Sequence, residues 1–402
     1  MAGSPGGSRS RNGAEQMVVT VRCPNEGCGK VYTVPARYAG RRAECAHCGT
    51  RTIIPAAAGM APARRTKGSG NGRARSAGYE VRVGCIGRGH AGKTALFQVL
   101  GDSLVGEFLQ SGLHLDAADP REVARMIREA EEAHKLLRQS GLPPTLEVSH
   151  NRYCVYEGDK RRVICKMREV IGQVLTHTLP NSEPQLQARY VDYIKNLVNA
   201  HVLWVVVPCP PADPQQRDRR RYANDLRITM AYLREALRLR TRPELAGVAL
   251  VLSKTDALFQ TAEEARAALT DDVLLQALGP LVQLIEQSQH VSDAAIVPVT
   301  AFGFGKAVLH PEADERHGAP GSAEEPFGDE PIWLLREGES PAPYNLDTLF
   351  LWTLLLGLLN QAGPNPAARP KLDKVCRMLR DDLEAGSPWL VPFKGGVSLT
   401  TA

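Results

Sequence analysis

The sequence is short of long apolar runs. The two longest, at 202–207 and 349–359, fall well below the roughly 20 residues that a membrane-crossing helix needs. No apolar leader opens the chain, so neither membrane insertion nor secretion is expected. Charge of one sign is scarce too: 49 basic against 44 acidic residues leave a formal +5, too little over 402 residues for net charge alone to argue for nucleic acid. Nine cysteines are an odd count for a disulfide framework, and four of them stand in metal-ligand spacing, which suits a reducing compartment and leads us to expect a cytoplasmic protein. There is no internal repeat. What is present, a hydrophobic fraction of 43% with 23% charged residues, suffices for one substantial core and a small accessory module.

Residues 1–17, rich in Gly and Ser with interspersed arginines, carry too little apolar surface to offset their ordering entropy and are expected to form a disordered tail. A cysteine-bearing segment at 18–55 is followed at 56–78 by a basic, flexible linker. From 79 to 362 strand-like and helix-like stretches alternate, the pattern of an α/β domain with a mainly parallel sheet flanked by helices. Within it the patterning predicts strands at 80–86, 202–207, 248–252 and 295–299 and a hairpin of 152–156 with 161–167. It predicts helices from 93, from 120, at 186–197, at 222–239, from about 262 and at 346–359. A Gly/Pro-rich acidic stretch at about 303–343 reads as a surface insertion, and 363–402 as a C-terminal tail with a helix-like run at 371–383.

Gly87-Arg88-Gly89-His90-Ala91-Gly92-Lys93-Thr94 fits G-x-x-x-x-G-K-[ST] between a predicted strand and a predicted helix, the context this phosphate-binding loop requires. Its glycines let backbone N–H groups turn toward phosphates, Lys93 is placed to reach the β and γ phosphates, and Thr94 to ligate Mg²⁺. The loop alone does not choose between ATP and GTP. Ser253-Lys254-Thr255-Asp256, just after the strand at 248–252, resembles the N/T-K-x-D guanine-recognition motif of Ras-like GTPases, with Ser253 in place of the usual Asn or Thr. The resemblance implies that Asp256 accepts hydrogen bonds from guanine, that the Lys254 stem packs over the base, and that Ser253 braces the phosphate loop. Thr300-Ala301 looks like the family's last loop, whose backbone N–H touches the guanine oxygen.

The family's D-x-x-G appears as Glu169-Val170-Ile171-Gly172, where a glutamate would hold a Mg²⁺-bound water with a different reach. Gln173 stands where Ras-like proteins keep a water-orienting glutamine, although a polar helix-start residue would read the same way. Thr145 is placed for the switch threonine that closes over the γ-phosphate and metal, with Ser149 competing for that role. The whole succession over about 80–362 resembles the translation-factor-related (TRAFAC) GTPases. The long insertion after the phosphate-loop helix and the neighbouring cysteine module are similar to the bacterial double-GTPase group, which implies a nucleotide-dependent switch working with a protein effector or partner GTPase.

Cys23-x4-Cys28 and Cys45-x2-Cys48, 16 residues apart with Gly29 and Gly49 directly after each pair, make two knuckles. Four thiolates suit tetrahedral Zn²⁺ and leave no open position for water, so a structural rather than catalytic metal is expected. The segment resembles short bacterial zinc ribbons through Cys23-Pro24, Cys28-Gly29, Tyr32, Val34 and Pro35, with one extra residue in the first knuckle; His47 reads as a bystander. Arg22, Lys30, Arg37, Arg41 and Arg42 and the linker's Arg64, Arg65, Lys67, Arg73 and Arg75 permit contacts to nucleic acid. Tyr32 and Tyr38 are the sole aromatics among them, which favours protein partners. A second basic run, from Arg217 to Arg240, offers a dock for an acidic partner or for the acidic insertion, or is a solvated helix face.

The sequence thus leads us to expect a GTPase using GTP, Mg²⁺ and Zn²⁺. A non-hydrolysing nucleotide scaffold, an ATPase or kinase, and a ribbon-led nucleic-acid binder remain as alternatives.

Overall fold

The computed structural model describes residues 18–25, 27–35, 42–44, 48, 50–53, 79–88, 91–107, 109–118, 120–139, 150–158, 160–168, 184–210, 216–240, 246–270, 272–309, 333–337, 339, 341–360, 369–385 and 389–395. The chain divides into two units, Met1–Arg75 and Ser76–Ala402.

The first unit is built from two short antiparallel pairs. Strand β1 (Val18–Arg22) pairs with β2 (Val31–Pro35), and β3 (Arg42–Glu44) with β4 (Arg51–Ile53). Val21 and Cys23 are buried in this unit.

The second unit is an α/β domain around an eight-stranded mixed, mostly parallel sheet. Strand β5 (Tyr79–Ile86) lies at its middle, parallel to β8 (Lys160–Arg168) on one side and β9 (Val202–Pro208) on the other. Beyond β9 come β10 (Ala246–Ser253) and β11 (Val291–Pro298), both parallel. Beyond β8 comes β7 (His150–Glu157), antiparallel to it, and then β6 (Leu113–Ala117), antiparallel to β7. The strand at the far edge, β14 (Val391–Lys394), pairs antiparallel with β11. The residues of β9 from Val202 to Val207 are all buried, as a central strand covered on both faces requires.

One face carries α1 (Lys93–Leu104), α8 (Leu346–Leu359) and α9 (Arg369–Ala385); the other carries α3 (Pro184–Val198), α4 (Gln216–Arg238) and α7 (Asp272–Gln287). Helix α8 is apolar almost all round and correspondingly buried all round. It approaches the sheet so closely that a Cβ on Gly357 would lie 2.4 Å from Val81 Cγ1, and one on Gly247 2.5 Å from Leu356 Cδ1. Buried Trp204 donates its indole N–H to Thr353 Oγ1 at 2.8 Å, joining strand and helix.

The hairpin, the expected strands and the expected helices all occur, and the helix expected from Pro120 is α2 (Pro120–Gln139). Several elements went unforeseen, among them β6, β14, and α7 with Pro280 inside it. Pro280 is exposed, so the helix N–H that a proline lacks is missing on the solvent side. The reading of 363–402 as a tail is corrected: α9 packs on α8, and β14 completes the sheet. Within the acidic stretch, β12 (Ala307–Leu309) pairs with β13 (Trp333–Leu335). Among the described residues no helix is long and apolar enough to cross a membrane.

Candidate functional site

The carboxyl ends of β5, β10 and β11 bring the predicted loops together. After Ile86 the chain turns through Gly87, where a Cβ would lie 2.7 Å from the Val206 carbonyl, so only glycine lets the loop pass that close to β9. The Lys93 side chain folds back and donates from Nζ to the Gly87 and Arg88 carbonyls, at 2.6 Å each. It is 6% exposed, a buried cation held at the centre of its own loop. Gly92 takes the left-handed conformation (φ 81°) ahead of α1, whose N-terminus has no side-chain cap. The first turn of α1 holds Thr94, which is half-buried. Arg88 makes an ion pair with Asp225 of α4, a partner that no motif announces.

Strand β10 ends against this loop. Ser253 Oγ, 1% exposed, donates to the Ala91 carbonyl at 2.7 Å, and Val207 O lies 3.2 Å away. A Cβ on Gly92 would sit 3.4 Å from Ser253 Cβ, so the two segments touch as well as bond. Lys254 adopts φ 59°, a left-handed conformation that costs a lysine about 1 kcal/mol or more and that concentrates at functional sites. Thr255 Oγ1 donates to Val299 O at 2.9 Å, tying α5 (Thr255–Leu258) to the end of β11.

Asp256 is buried, at 3% exposure. Its Oδ2 accepts N–H groups from Phe302 (2.9 Å) and Gly303 (3.2 Å), directly after Thr300 and Ala301. Burial pushes its carboxyl up to about 6, against the downward pull of these backbone N–H groups. The carboxylate braces its own loop, with the backbone N–H groups of Ala301 and of Asp256 itself also directed at it. The loop is held in turn by Tyr344: Thr300 N donates to Tyr344 O (3.2 Å), and Tyr344 N to Thr300 Oγ1 (3.0 Å).

The structure thus joins Gly87, Arg88, Ala91, Gly92, Lys93, Thr94, Ser253, Lys254, Asp256, Thr300 and Ala301 at one end of the sheet. Gly89 and His90 of the loop lie outside the described residues, as do Thr145, Ser149, Glu169, Gly172 and Gln173, the residues expected to govern water and much of the Mg²⁺ shell. Asp225, Tyr344 and Asn345 escaped the sequence reading because each acts through a partner distant in the chain. Part of the second basic run is spent internally: buried Arg240 donates to Leu197 O and Ala200 O, and Arg238 pairs with Glu235.

In the first unit, Cys23, Cys28 and Cys48 place their sulfurs within 4.8 Å of one another, and this cluster can hold a metal ion. Cys23 and Cys48 Sγ are 3.5 Å apart, close to the roughly 3.8 Å edge of a tetrahedron with metal–sulfur bonds of about 2.3 Å. The first knuckle is shaped by Asn25, whose carbonyl accepts from Cys28 N (2.9 Å) and Gly29 N (3.1 Å), with Gly29 left-handed at φ 57°. Thr50, at 3.2 Å from Cys48 Sγ, holds that thiol below its ordinary value. Cys45 and His47 lie outside the described residues. Compared with known protein families and with curated proteins, the chain has no match.

Proposed function

We propose that this chain is a GTP-binding protein of Ras-like architecture that hydrolyses GTP and acts as a nucleotide-dependent switch, with an N-terminal zinc ribbon. The observation that carries the reading is the hydrogen bond from Ser253 to Ala91 O, because it makes the phosphate loop and the S-K-T-D segment two sides of one site. The strand order β7-β8-β5-β9-β10-β11, with the antiparallel strand β7 beside β8, supports the Ras-like comparison. So does the position of both loops at the carboxyl ends of parallel strands, where open α/β sheets bind ligands.

On this reading the α1 N-terminus and Lys93 bind the β and γ phosphates. Lys93 already sits in the loop and needs no large rearrangement to offset charge developing on the transferred phosphoryl. Thr94 would ligate Mg²⁺, whose charge adds to that of Lys93 in neutralising the phosphates, with Thr145 and Glu169 completing its shell. Gln173 would orient the attacking water. Asp256 would accept from guanine N1 and its exocyclic amine, a donor pair that adenine lacks, with Ala301 at the guanine oxygen and Lys254 over the base. Cys23, Cys28, Cys45 and Cys48 would hold Zn²⁺ as a structural centre. The partner would be a protein effector or a second GTPase; the basic ribbon and linker leave nucleic acid as a further ligand.

One observation favours a second reading, a P-loop ATPase or kinase in which Asp256 only braces the loop: its carboxylate is 3% exposed and already bonded to Phe302 and Gly303. Titration of the zinc-replete protein with fluorescent GTP and ATP, alongside Asp256→Asn, separates the two. A preference for GTP that disappears in the variant is expected; equal competition by ATP in the unaltered protein would establish the second reading. Phosphate release that depends on Gln173 would distinguish a GTPase from a non-hydrolysing scaffold.

A further inference from the structure

The loop that braces Asp256 is held from behind by a segment more than 80 residues further along the chain. Asn345 is the hub. It is 7% exposed and left-handed (φ 64°), and its Nδ2 donates at 2.7 Å to both Pro298 O, two residues ahead of Thr300, and Trp389 O, two residues ahead of β14. Its Oδ1 accepts from Trp389 N at 3.4 Å. Beside it the Trp389 ring packs on Tyr344, with centroids 6.1 Å apart, and lies under the Arg266 guanidinium. Arg266 donates to Tyr344 Oη at 2.7 Å, and Phe304 closes on the other side of Tyr344.

The far end of the segment is fastened too. Lys394 Nζ donates to the carbonyls of Ile285 (3.1 Å), Glu286 (2.7 Å) and Ser288 (2.5 Å), where a cation complements the exposed carbonyls of α7's last turn.

We infer that residues 389–395 form a strap that positions the base-recognition loop, with Asn345 and Trp389 as positioning residues for base selectivity. The inference rests on the guanine-binding reading above. Its physical content is a hydrogen-bonded sequence that is buried at Asn345 and partly solvated at Lys394. Lys394 fixes β14, Trp389 fixes Asn345, Asn345 and Tyr344 fix Pro298 and Thr300, and the following N–H groups orient the Asp256 carboxylate. The phosphate loop is held by other bonds, from Ser253 and Lys93. Loosening the strap should therefore cost base recognition and spare phosphate binding.

Asn345→Gly tests this. Glycine keeps φ 64° without strain but removes the side chain that bridges the two carbonyls. Lys394→Met, which releases the strap from α7 without touching the loop, is the second variant. Affinities for GTP, ATP and inorganic triphosphate would be measured for each, with a thermal melt. The expected result is a loss of GTP affinity of roughly ten-fold in Asn345→Gly and less in Lys394→Met, the scale of one buried polar contact, with inorganic triphosphate unchanged. Unchanged or higher GTP affinity in a folded variant, or an equal loss for inorganic triphosphate, would overturn the inference while leaving the guanine reading standing. An unaltered protein that binds triphosphate but does not distinguish GTP from ATP would overturn both.

Discussion

The two units of this chain are organised by opposite means. In 76–402 the order comes from apolar area: α8 and β9 are buried nearly throughout, and a polar site is set at the carboxyl edge of a sheet already fixed by packing. In 1–75 the described strands are only three to five residues long, and the thiols of Cys23, Cys28 and Cys48 gather at the knuckles. The comparison teaches where each unit is fragile: the small one at its cysteine cluster, the large one at single polar atoms whose partners are already placed.

The comparison breaks most sharply under chelation. Stripping metal should unfold 18–53, since a structural zinc contributes on the order of 10 kcal/mol to such a segment, and should leave the melting of 76–402 unchanged. Heteronuclear spectra before and after chelation would show this, and Cys28→Ser should reproduce it. A first unit that keeps its spectrum without metal would contradict the contrast.

Within the large unit, Lys93→Ala should weaken binding of inorganic triphosphate about a hundred-fold, the loss of a buried charge-assisted contact of roughly 3 kcal/mol, while the melting temperature moves little. Calorimetric titration of the variant would measure it; binding within a few-fold of the parent would remove the phosphate-loop assignment.

A smaller effect follows from Asp256. Its carboxyl, raised to about 6 by burial, must be ionised to accept from guanine. GTP preference over ATP should hold above that value and fall by up to about ten-fold per pH unit below it. Stability runs the other way. The protonated form suits the buried site, so this group's contribution to the nucleotide-free fold is full below the unfolded value near 4 and is lost as pH rises through about 6. Competition titrations and melts across pH 5–8 would follow both, and a flat GTP/ATP ratio would exclude Asp256 from base recognition. The smallest effect expected is that of Ser253→Ala, about 1 kcal/mol or some five-fold in nucleotide affinity, because it frees a single carbonyl of the phosphate loop.

Much of the large unit was legible in the sequence. Strands β9 and β10 are continuous apolar runs, β5 alternates Val81 and Val83 with charged residues before its apolar end, and the hairpin of β7 and β8 is marked by Glu157-Gly158-Asp159-Lys160 between them. The G-x-x-x-x-G-K-T and Ser253-Lys254-Thr255-Asp256 patterns were legible because both are local, as was the contact of Ser253 with the glycine-rich loop. The elements that were missed are those that the sheet recruits. Strand β14 is four residues long and half-exposed, and it is a strand because β11 offers it an edge. Helix α7 carries Pro280, which reads as a stop until burial of Leu278, Leu281 and Ile285 outweighs it.

By itself the sequence determined the local chemistry: which turns need glycine, which strands must be buried, which cysteines lie in ligand spacing, and that Lys93 and Asp256 each follow a strand end. Periodicity, turn residues and motif spacing act over a few neighbours, and that is the range over which a sequence can be read directly. Only the tertiary structure decided that Asp225 answers Arg88, that Asn345 and Trp389 stand behind the base loop, and that Asp256 is buried against its own backbone. Those contacts are polar atoms brought together by packing across the sheet, and their partners are set by which surfaces the apolar core closes, a property of the whole chain rather than of any stretch of it.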